Sequence, residues 1–405
     1  MGTYSTKVIS QAAKEDSSIL NLSIGEPEFG PPQHLLSEID TKDLTLTNFL
    51  ESVNRYEQSR GSAALRNAIS EWYMRRYGIA VDPDKEIIIT HGGVGAITLA
   101  ILSATRSGDT VAIGDPSYML YKRTIAALGR NPAPFLRLPA NEEYREVLNS
   151  MDDFSNTFGA AKAIVINSPE NPTGYVVSKT EWNLLTEMAE KNDAWIIHDE
   201  VYDTMAFSRE HFPARSVDTL GERTILVNSF SKKFGTPGLR IGWMVANERL
   251  IKIASKAHDY LYLGVNILYE RIAARLISDP SSEEWFTNMN RYLSERTSRA
   301  TRLLNREQGF TWERSPMGAM FLFPNVSNLY ETIPADYKIK DFSISESVAK
   351  YLVHKHKIAA VPGSVYGTSS DANIRLVLCS PSNVYDKAIT RLANINNVPV
   401  GANIT

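Results

Sequence analysis

Short apolar runs alternate with longer amphipathic stretches through the first two thirds of the chain. Between the apolar runs, a spacing of three to four residues predicts helices over Val94–Thr105 and Trp182–Lys191. Strands separated by helices are typical of βαβ units, so the pattern predicts an α/β fold with a mostly parallel central sheet covered on both faces. The predicted strands are Glu86–Thr90, Thr110–Gly114, Ala163–Asn167, Ala194–His198, Thr224–Asn228 and Ile241–Ala246.

Beyond about residue 247 the pattern changes to long helical stretches rich in charge, Glu248–Ser278 and Ser282–Gln308. Two further strands are predicted at Gly318–Pro324 and Asn373–Cys379, whereas the first 45 residues carry few regular signals. We therefore expect a large α/β domain over residues 47–285. A smaller α+β domain would combine an N-terminal arm, residues 1–46, with residues 286–405.

Composition narrows the class of protein. The 405 residues are 43% hydrophobic and carry 43 basic and 46 acidic side chains, a net charge of −3, which argues against nucleic-acid binding. The single cysteine, Cys379, excludes an internal disulfide framework and any multi-cysteine metal site. The polar N-terminus does not resemble a signal peptide, and the most apolar run contains several glycines. We therefore expect a cytoplasmic protein with no membrane segment and no bound metal.

The segment 229–242 carries the strongest chemical signal, because it follows a predicted strand and is dense in glycine, hydroxyl and cationic residues. A lysine at a strand end in a partly desolvated pocket has a lowered pKa and can form a Schiff base with a carbonyl. Ser229 and Arg240, three residues before and eight after Lys232, could bind one anionic group beside it.

This segment resembles the lysine signature of the class I/II aminotransferases, fold-type I enzymes similar to aspartate aminotransferase that use pyridoxal 5′-phosphate (PLP). The family pattern of serine, lysine, glycine and arginine is matched at Ser229, Lys232, Gly238 and Arg240. The resemblance implies that Lys232 holds the cofactor covalently and that Ser229 and Arg240 bind its phosphate. The neighbouring Lys233 lacks the family's spacing.

Other positions match the family one by one. By resemblance, Asn171 and Tyr202 contact the ring hydroxyl of the cofactor, Tyr118 stacks on the ring, and Asp199 contacts the pyridine nitrogen. A carboxylate there keeps the nitrogen protonated and makes the ring a stronger electron sink. Lys232, Asp199 and Tyr202 are accordingly the expected catalytic residues.

Two features concern the phosphate and the partner subunit. The first concerns the glycine turn that begins at Gly92. In relatives a polar side chain usually follows the first glycine of this turn, whereas this chain has Gly93, Val94 and Gly95 there. Phosphate binding at this turn would then depend on main-chain N–H groups. Tyr56 matches the family tyrosine that reaches the cofactor phosphate of the neighbouring subunit, which implies a homodimer.

The substrate end is expected at Arg375. An arginine binds a carboxylate with two parallel hydrogen bonds, and one placed in an apolar strand is costly unless it is used. The resemblance assigns Arg375 to the substrate α-carboxylate, with Gly25 and Asn171 beside it.

The expected activity is transfer of an amino group between an L-amino acid and a 2-oxo acid, by a ping-pong mechanism with Lys232 as the proton carrier. A β- or γ-eliminating lyase, a cyclase or an amino-acid oxidase on the same fold would keep the same residues, and a requirement for the oxo acid separates these alternatives. A PLP-sensing transcription regulator is a remote alternative, since the resemblance starts near residue 21 and we expect no appended DNA-binding domain. The sequence does not identify the amino acid.

Overall fold

A computed structural model describes residues 16–32, 56–136 and 158–397, together with scattered positions between 11 and 54. Its helices are α1 (Ala63–Tyr77), α2 (Gly92–Ala104), α3 (Leu120–Ala127), α4 (Lys179–Lys191), α5 (Phe230–Lys233), α6 (Glu248–Tyr262), α7 (Ile267–Ser278), α8 (Ser282–Leu303), α9 (Ser327–Thr332), α10 (Ile344–His356) and α11 (Ser382–Ala393). Its strands are β1 (Leu20–Asn21), β2 (Ile87–His91), β3 (Thr110–Asp115), β4 (Asn131–Leu136), β5 (Ala161–Asn167), β6 (Trp195–Asp199), β7 (Thr224–Ser229), β8 (Ile241–Val245), β9 (Phe321–Leu322), β10 (Ile358–Ala359), β11 (Val361–Pro362) and β12 (Ile374–Val377).

Seven strands form the central sheet in the order β2-β8-β7-β6-β5-β3-β4. Only β8 runs antiparallel to its neighbours, β2 and β7, and the other pairs are parallel. Along β2, Ile87 and Ile89 pack into one apolar core and Ile88 into a second core on the opposite face. The sheet is therefore buried on both faces, which confirms the predicted α/β fold and its mostly parallel sheet.

Strand β4 escaped sequence prediction because two of its residues are prolines, Pro132 and Pro134. A proline cannot donate a ladder hydrogen bond and is tolerated only at the edge of a sheet. The structure places β4 at the edge, where it pairs with β3 alone.

Helices begin and end where local chemistry requires it. Ser178 and Ser343 cap α4 and α10, each completing a capping box with a glutamate three residues later. The helical pattern Glu248–Ser278 forms two helices, because Leu263 (φ 58°) and Gly264 (φ 132°) interrupt it.

Within the described residues, no helix is long and apolar enough to cross a bilayer.

Two small sheets lie outside the central one. β1 pairs in parallel with β10, which joins an N-terminal segment to the last quarter of the chain. β11, β12 and β9 form an antiparallel sheet with β12 in the middle. The domain limits at residues 46/47 and 285/286 stay predictions.

Candidate active site

The topology of the central sheet brings the predicted site residues to one edge. β5, β6 and β7 are parallel neighbours, and they end at Asn167, Asp199 and Ser229. The antiparallel β8 starts at the same edge, directly after Arg240, and β2 ends there before the first residue of α2, Gly92. Ligand sites of open α/β sheets lie in crevices at this edge.

A cavity of about 640 Å³ opens at this edge, and the predicted residues around it divide into two groups. Tyr56, 86% exposed, and Gly95 do not line the cavity. The predicted residues that do line it are Gly25, Gly93, Val94, Tyr118, Asn171, Asp199, Tyr202, Ser229, Lys232, Arg240 and Arg375. Their shared position supports the predicted roles, which stay predictions residue by residue.

Lys232 projects into the cavity from α5, a single helical turn that follows β7. Its Nζ donates a hydrogen bond to the carbonyl oxygen of Gly25 at 2.6 Å. Burial lowers the pKa of the ammonium, so the neutral, nucleophilic amine is easier to reach than for a solvated lysine.

Asp199 is buried at the end of β6. Burial raises the pKa of its carboxyl group to about 6, and hydrogen bonds oppose this shift. Tyr121 Oη donates to Oδ2 at 2.6 Å, and the N–H of Val201 donates to Oδ1 at 3.2 Å. These bonds hold the carboxyl group in one orientation at the cavity wall.

Cationic and donor groups converge on the start of α2. Gly92 has φ 67°, and a Cβ added there would lie 2.6 Å from Arg240 Nη2, so the guanidinium lies directly against this turn. Ser229 and Ser231 line the cavity beside it, with their hydroxyl oxygens 2.9 Å apart. Arg240 itself donates to the carbonyl oxygen of Pro237 at 3.0 Å. A helix N-terminus, two hydroxyls and a guanidinium together fit a phosphate group.

Arg375 is 5% exposed in β12, and no described carboxylate lies within ion-pair distance of it. Its Nη1 donates to Asn171 Oδ1 at 3.1 Å and its Nη2 to the Ser23 carbonyl oxygen at 2.9 Å, while its Nε is buried with no partner. The guanidinium carbon lies 4.4 Å from the ring centre of Phe321. An uncompensated buried cation beside a cavity suits an anionic ligand such as a carboxylate.

Several cavity residues were missed by sequence reasoning. Tyr121 lies three residues after Tyr118, and Ser231 lies within the lysine segment, so both are close in sequence to predicted site residues. Asn167 ends β5 and bonds both the Asp199 carbonyl oxygen and the Asn171 N–H, at 2.8 and 2.7 Å. Arg123 on α3 also lines the cavity, without a local motif that would mark it.

One cluster of described residues has the spacing of a metal site: His198, Glu200 and His211. However, His198 Nδ1 accepts the N–H of Ala214 at 3.1 Å, and Nε2 donates to the Ser168 carbonyl oxygen at 3.0 Å. Both ring nitrogens of His198 are therefore engaged, and burial lowers its pKa to about 4. This histidine has no free lone pair for a metal ion.

Comparison with known proteins agrees with this geometry. The chain is 28% identical over 380 residues to "Aspartate aminotransferase" of Pyrococcus abyssi, covering 93% of this chain and 91% of that one. It is 29% identical over 363 residues to "(5-formylfuran-3-yl)methyl phosphate transaminase" of Methanocaldococcus jannaschii, covering 89% and 87%.

A solved structure, N-succinyldiaminopimelate aminotransferase of Mycobacterium tuberculosis, matches with a TM-score of 0.80 and 27% identity, covering 96% of each chain. The sequence model of the family "Aminotransferase class I and II" matches residues 17–392. This chain therefore belongs to the class I and II aminotransferases, which confirms the family predicted from the lysine segment.

Proposed function

We propose that this protein is a PLP-dependent aminotransferase that moves an amino group between an L-amino acid and a 2-oxo acid. The observation that carries the proposal is a buried lysine amine, Lys232, and a buried guanidinium, Arg375, at one cavity, the guanidinium having no carboxylate partner among the described residues. The first suits a carbonyl and the second a carboxylate, and an amino-acid substrate with an aldehyde cofactor presents both.

The residues present fit the cofactor. Lys232 would bind it covalently, and the donors at the start of α2, with Ser229, Ser231 and Arg240, would hold its phosphate. Asp199 would face the ring nitrogen. A protonated ring nitrogen is a cation and would stabilise the ionised form of the Asp199 carboxyl group, which burial disfavours. Tyr118 would lie against the ring, and Asn171 and Tyr202 near the ring hydroxyl, as the resemblance implies.

PLP, when bound, supplies an electron sink for removal of the α-proton of an amino acid. The chain's own groups then have defined tasks. Arg375 binds the α-carboxylate and so orients the α-hydrogen, and the amine of Lys232 accepts and returns that proton at Nζ. Because its pKa is lowered, this amine spends more time unprotonated than a solvated lysine would. Donor and acceptor substrates use the same site in turn, so we expect ping-pong kinetics.

Lys232→Ala provides the direct test. Purified wild-type protein mixed with PLP should develop visible absorbance that survives dialysis, and an amino acid should convert it to the amine form of the cofactor. Lys232→Ala should lack the covalent chromophore and the activity, because no amine remains to form the bond. Lys191→Ala, at a solvent-exposed ion pair with Glu187, is the matched control and should behave as wild type.

The proposal is wrong if Lys232→Ala retains covalently bound cofactor. A panel of amino acids, each assayed with and without a 2-oxo acid, distinguishes an aminotransferase from a lyase or an oxidase of the same fold. Turnover that never requires the oxo acid would contradict transamination.

We further propose a homodimer located in the cytoplasm. In a single chain Tyr56 lies outside the cavity and is 86% exposed. Val94 lines the cavity and is 43% exposed. A second copy that covers these two side chains would bury both and bring the partner's tyrosine towards the phosphate end. The single cysteine, Cys379, suits the reducing conditions of the cytoplasm.

A further inference from the structure

A second group of charged residues lies behind the cavity wall, inside the apolar core. We call it the buried charge cluster: Tyr73, Glu200, Asp203, Asn228 and Lys233, each at most 1% exposed. Asn228 Nδ2 donates to Glu200 Oε1 at 3.2 Å and to Asp203 Oδ2 at 3.1 Å, and Tyr73 Oη donates to Glu200. The proposed function assigns no task to any of these five residues.

Lys233 is the cation of this cluster. Its Nζ lies 2.9 Å from Asp203 Oδ1 and 3.0 Å from Oδ2, so it bridges both carboxylate oxygens. The same nitrogen lies 4.1 Å from the ring centre of Trp72 and 4.7 Å from that of Trp243. Burying two charges is costly because both lose their hydration, and an ion pair offsets that loss only with good geometry. An apolar residue would fill this space at lower cost.

Two residues of the buried charge cluster directly follow, in sequence, residues that line the cavity. Glu200 follows Asp199 at the end of β6, and Lys233 follows Lys232 on α5. In each pair the first side chain lines the cavity and the second points into the core. The buried charge cluster therefore anchors the main chain next to both cavity residues, on the side that faces the core.

Helix α5 depends on contacts with the rest of the protein because it has only four residues. A single helical turn is not stable on its own, since nucleation costs more than its few hydrogen bonds return. The ion pair ties this turn to Asp203, and the carboxylate of Asp203 is bonded in turn to Asn228 on β7. The indole N–H of Trp285 also donates to the Lys233 carbonyl oxygen at 3.3 Å.

We propose that Lys233 and Asp203 are positioning residues for the reaction: their buried ion pair fixes the α5 turn and so aims the amine of Lys232. This inference rests on the proposed function, because it concerns the direction of that amine. On this view the ion pair orients the Lys232 amine and adds little to the stability of the fold. Removing both charges should therefore lower the reaction rate more than the unfolding temperature.

Four variants test the inference in the full-length protein: Lys233→Met, Asp203→Asn, the double variant, and Arg215→Met as control. Arg215 is 2% exposed and pairs with Glu86, which precedes β2 at the opposite edge of the sheet. Each variant is prepared without cofactor and mixed with PLP. The rate of covalent bond formation at Lys232, the induced circular dichroism of the chromophore, the half-reaction rate and KM, and the unfolding temperature are then measured.

We expect Lys233→Met to slow both bond formation and the half-reaction by about 10- to 100-fold, because a shift of about 1 Å in a reacting group has costs of this order. KM should change by less than about threefold, since Arg375 is untouched, and the dichroism band should change shape. The double variant should regain most of the unfolding temperature, because the Asp203 carboxylate is no longer left buried without its cation, while its rates stay low. Arg215→Met should lose stability and keep wild-type rates.

Rates that recover together with the unfolding temperature in the double variant would show that the pair serves stability alone and would overturn the inference. So would a Lys233→Met protein whose rates lie within twofold of wild type. If Lys233→Met does not fold, the double variant and Arg215→Met carry the comparison. Wild-type protein that forms no chromophore with PLP would instead contradict the proposed function.

Discussion

Asp199 shows how one side chain can be unfavourable for the empty protein and useful for the loaded one. Its carboxyl group is buried, its pKa is raised to about 6, and its hydrogen bonds to Tyr121 and Val201 compensate only in part. Because the folded-state pKa lies above the unfolded value of about 3.9, folding takes up a proton between these pH values. This group's contribution to stability is therefore full below pH 4 and is lost as the pH rises through 6.

Asp199→Asn should therefore stabilise the cofactor-free protein at pH 8, by about 1–3 kcal/mol, and have little effect at pH 4. The same change should leave PLP bound but slow α-proton removal by orders of magnitude, because a neutral amide does not keep the ring nitrogen protonated. Denaturant unfolding at the two pH values and single-turnover spectroscopy with an amino acid measure the two effects.

The control is Asp193→Asn, at an exposed carboxylate paired with Arg223. It should change neither the proton-removal rate nor the pH dependence of stability by a comparable amount. A normal half-reaction rate in Asp199→Asn would contradict the electron-sink role given to this carboxyl group.

At single positions, the residues that carry charge into the cavity were predictable because their types and spacing are restrictive. Lys232, Asp199 and Arg375 are three cases, and the structure places all of them at one cavity. Tyr121 and Ser231 were not predicted, because nothing in the spacing alone fixes which of several polar neighbours turns inward. The grip of Lys233 on Asp203 was equally hidden, since the two lie 30 residues apart in sequence and meet only in the core.

Among the elements, the start of α2 links an unusual backbone conformation to the site. Gly92 combines a positive φ with close contact to the Arg240 guanidinium. Gly78, which ends α1, has almost the same φ, 66°, but nothing lies within 4 Å of the position its Cβ would take. Alanine variants at the two glycines therefore distinguish the effect of backbone strain, which both share, from the displacement of Arg240, which only Gly92→Ala causes.

We expect Gly92→Ala and Gly78→Ala each to lose about 1–2 kcal/mol of unfolding free energy, the cost of an L-residue in the left-handed region. Only Gly92→Ala should also weaken PLP binding, by about tenfold or more, as the methyl group displaces Arg240. Fluorescence titration of the cofactor-free proteins with PLP measures this. Equal PLP affinity in the two variants would remove the α2 turn from the phosphate site.

Elements were predictable where pattern and burial agree. The sheet strands β2, β3, β5, β6, β7 and β8 have strong apolar runs, and each was predicted within a few residues. The edge strand β4 was not, because Pro132 and Pro134 resemble a loop when pairing on one side cannot be foreseen. The break at Leu263 was missed because a leucine with positive φ carries no local signal.

For the whole molecule, exposed apolar residues gather near the end of α6. Tyr260, Leu261 and Leu263 are 86%, 53% and 57% exposed, and Tyr269 on α7 is 37% exposed. Solvated aromatic residues at this density are typical of a protein–protein contact. Together with the exposed Tyr56, they favour the proposed homodimer.

Tyr260→Glu combined with Leu261→Glu should convert the protein to monomers of about 45.2 kDa, because charges would be buried at the contact. PLP affinity should fall as well, because Tyr56 of the partner subunit would no longer reach the phosphate. Light scattering after size-exclusion chromatography reports the mass. Leu220→Glu, at an isolated side chain 71% exposed, is the control and should leave the mass unchanged. A monomeric wild-type protein would contradict the dimer.

The parallel pairing of β1 with β10 has a consequence for synthesis of the protein. The segment that supplies the Ser23 and Gly25 carbonyl oxygens to Arg375 and Lys232 is translated long before the strand next to which it lies. Its partner strand begins at residue 358, so this pairing cannot form until that strand has left the ribosome. The cavity is thus completed only after β10 and β12 have been made, and nascent or truncated chains that stop before that point cannot assemble it.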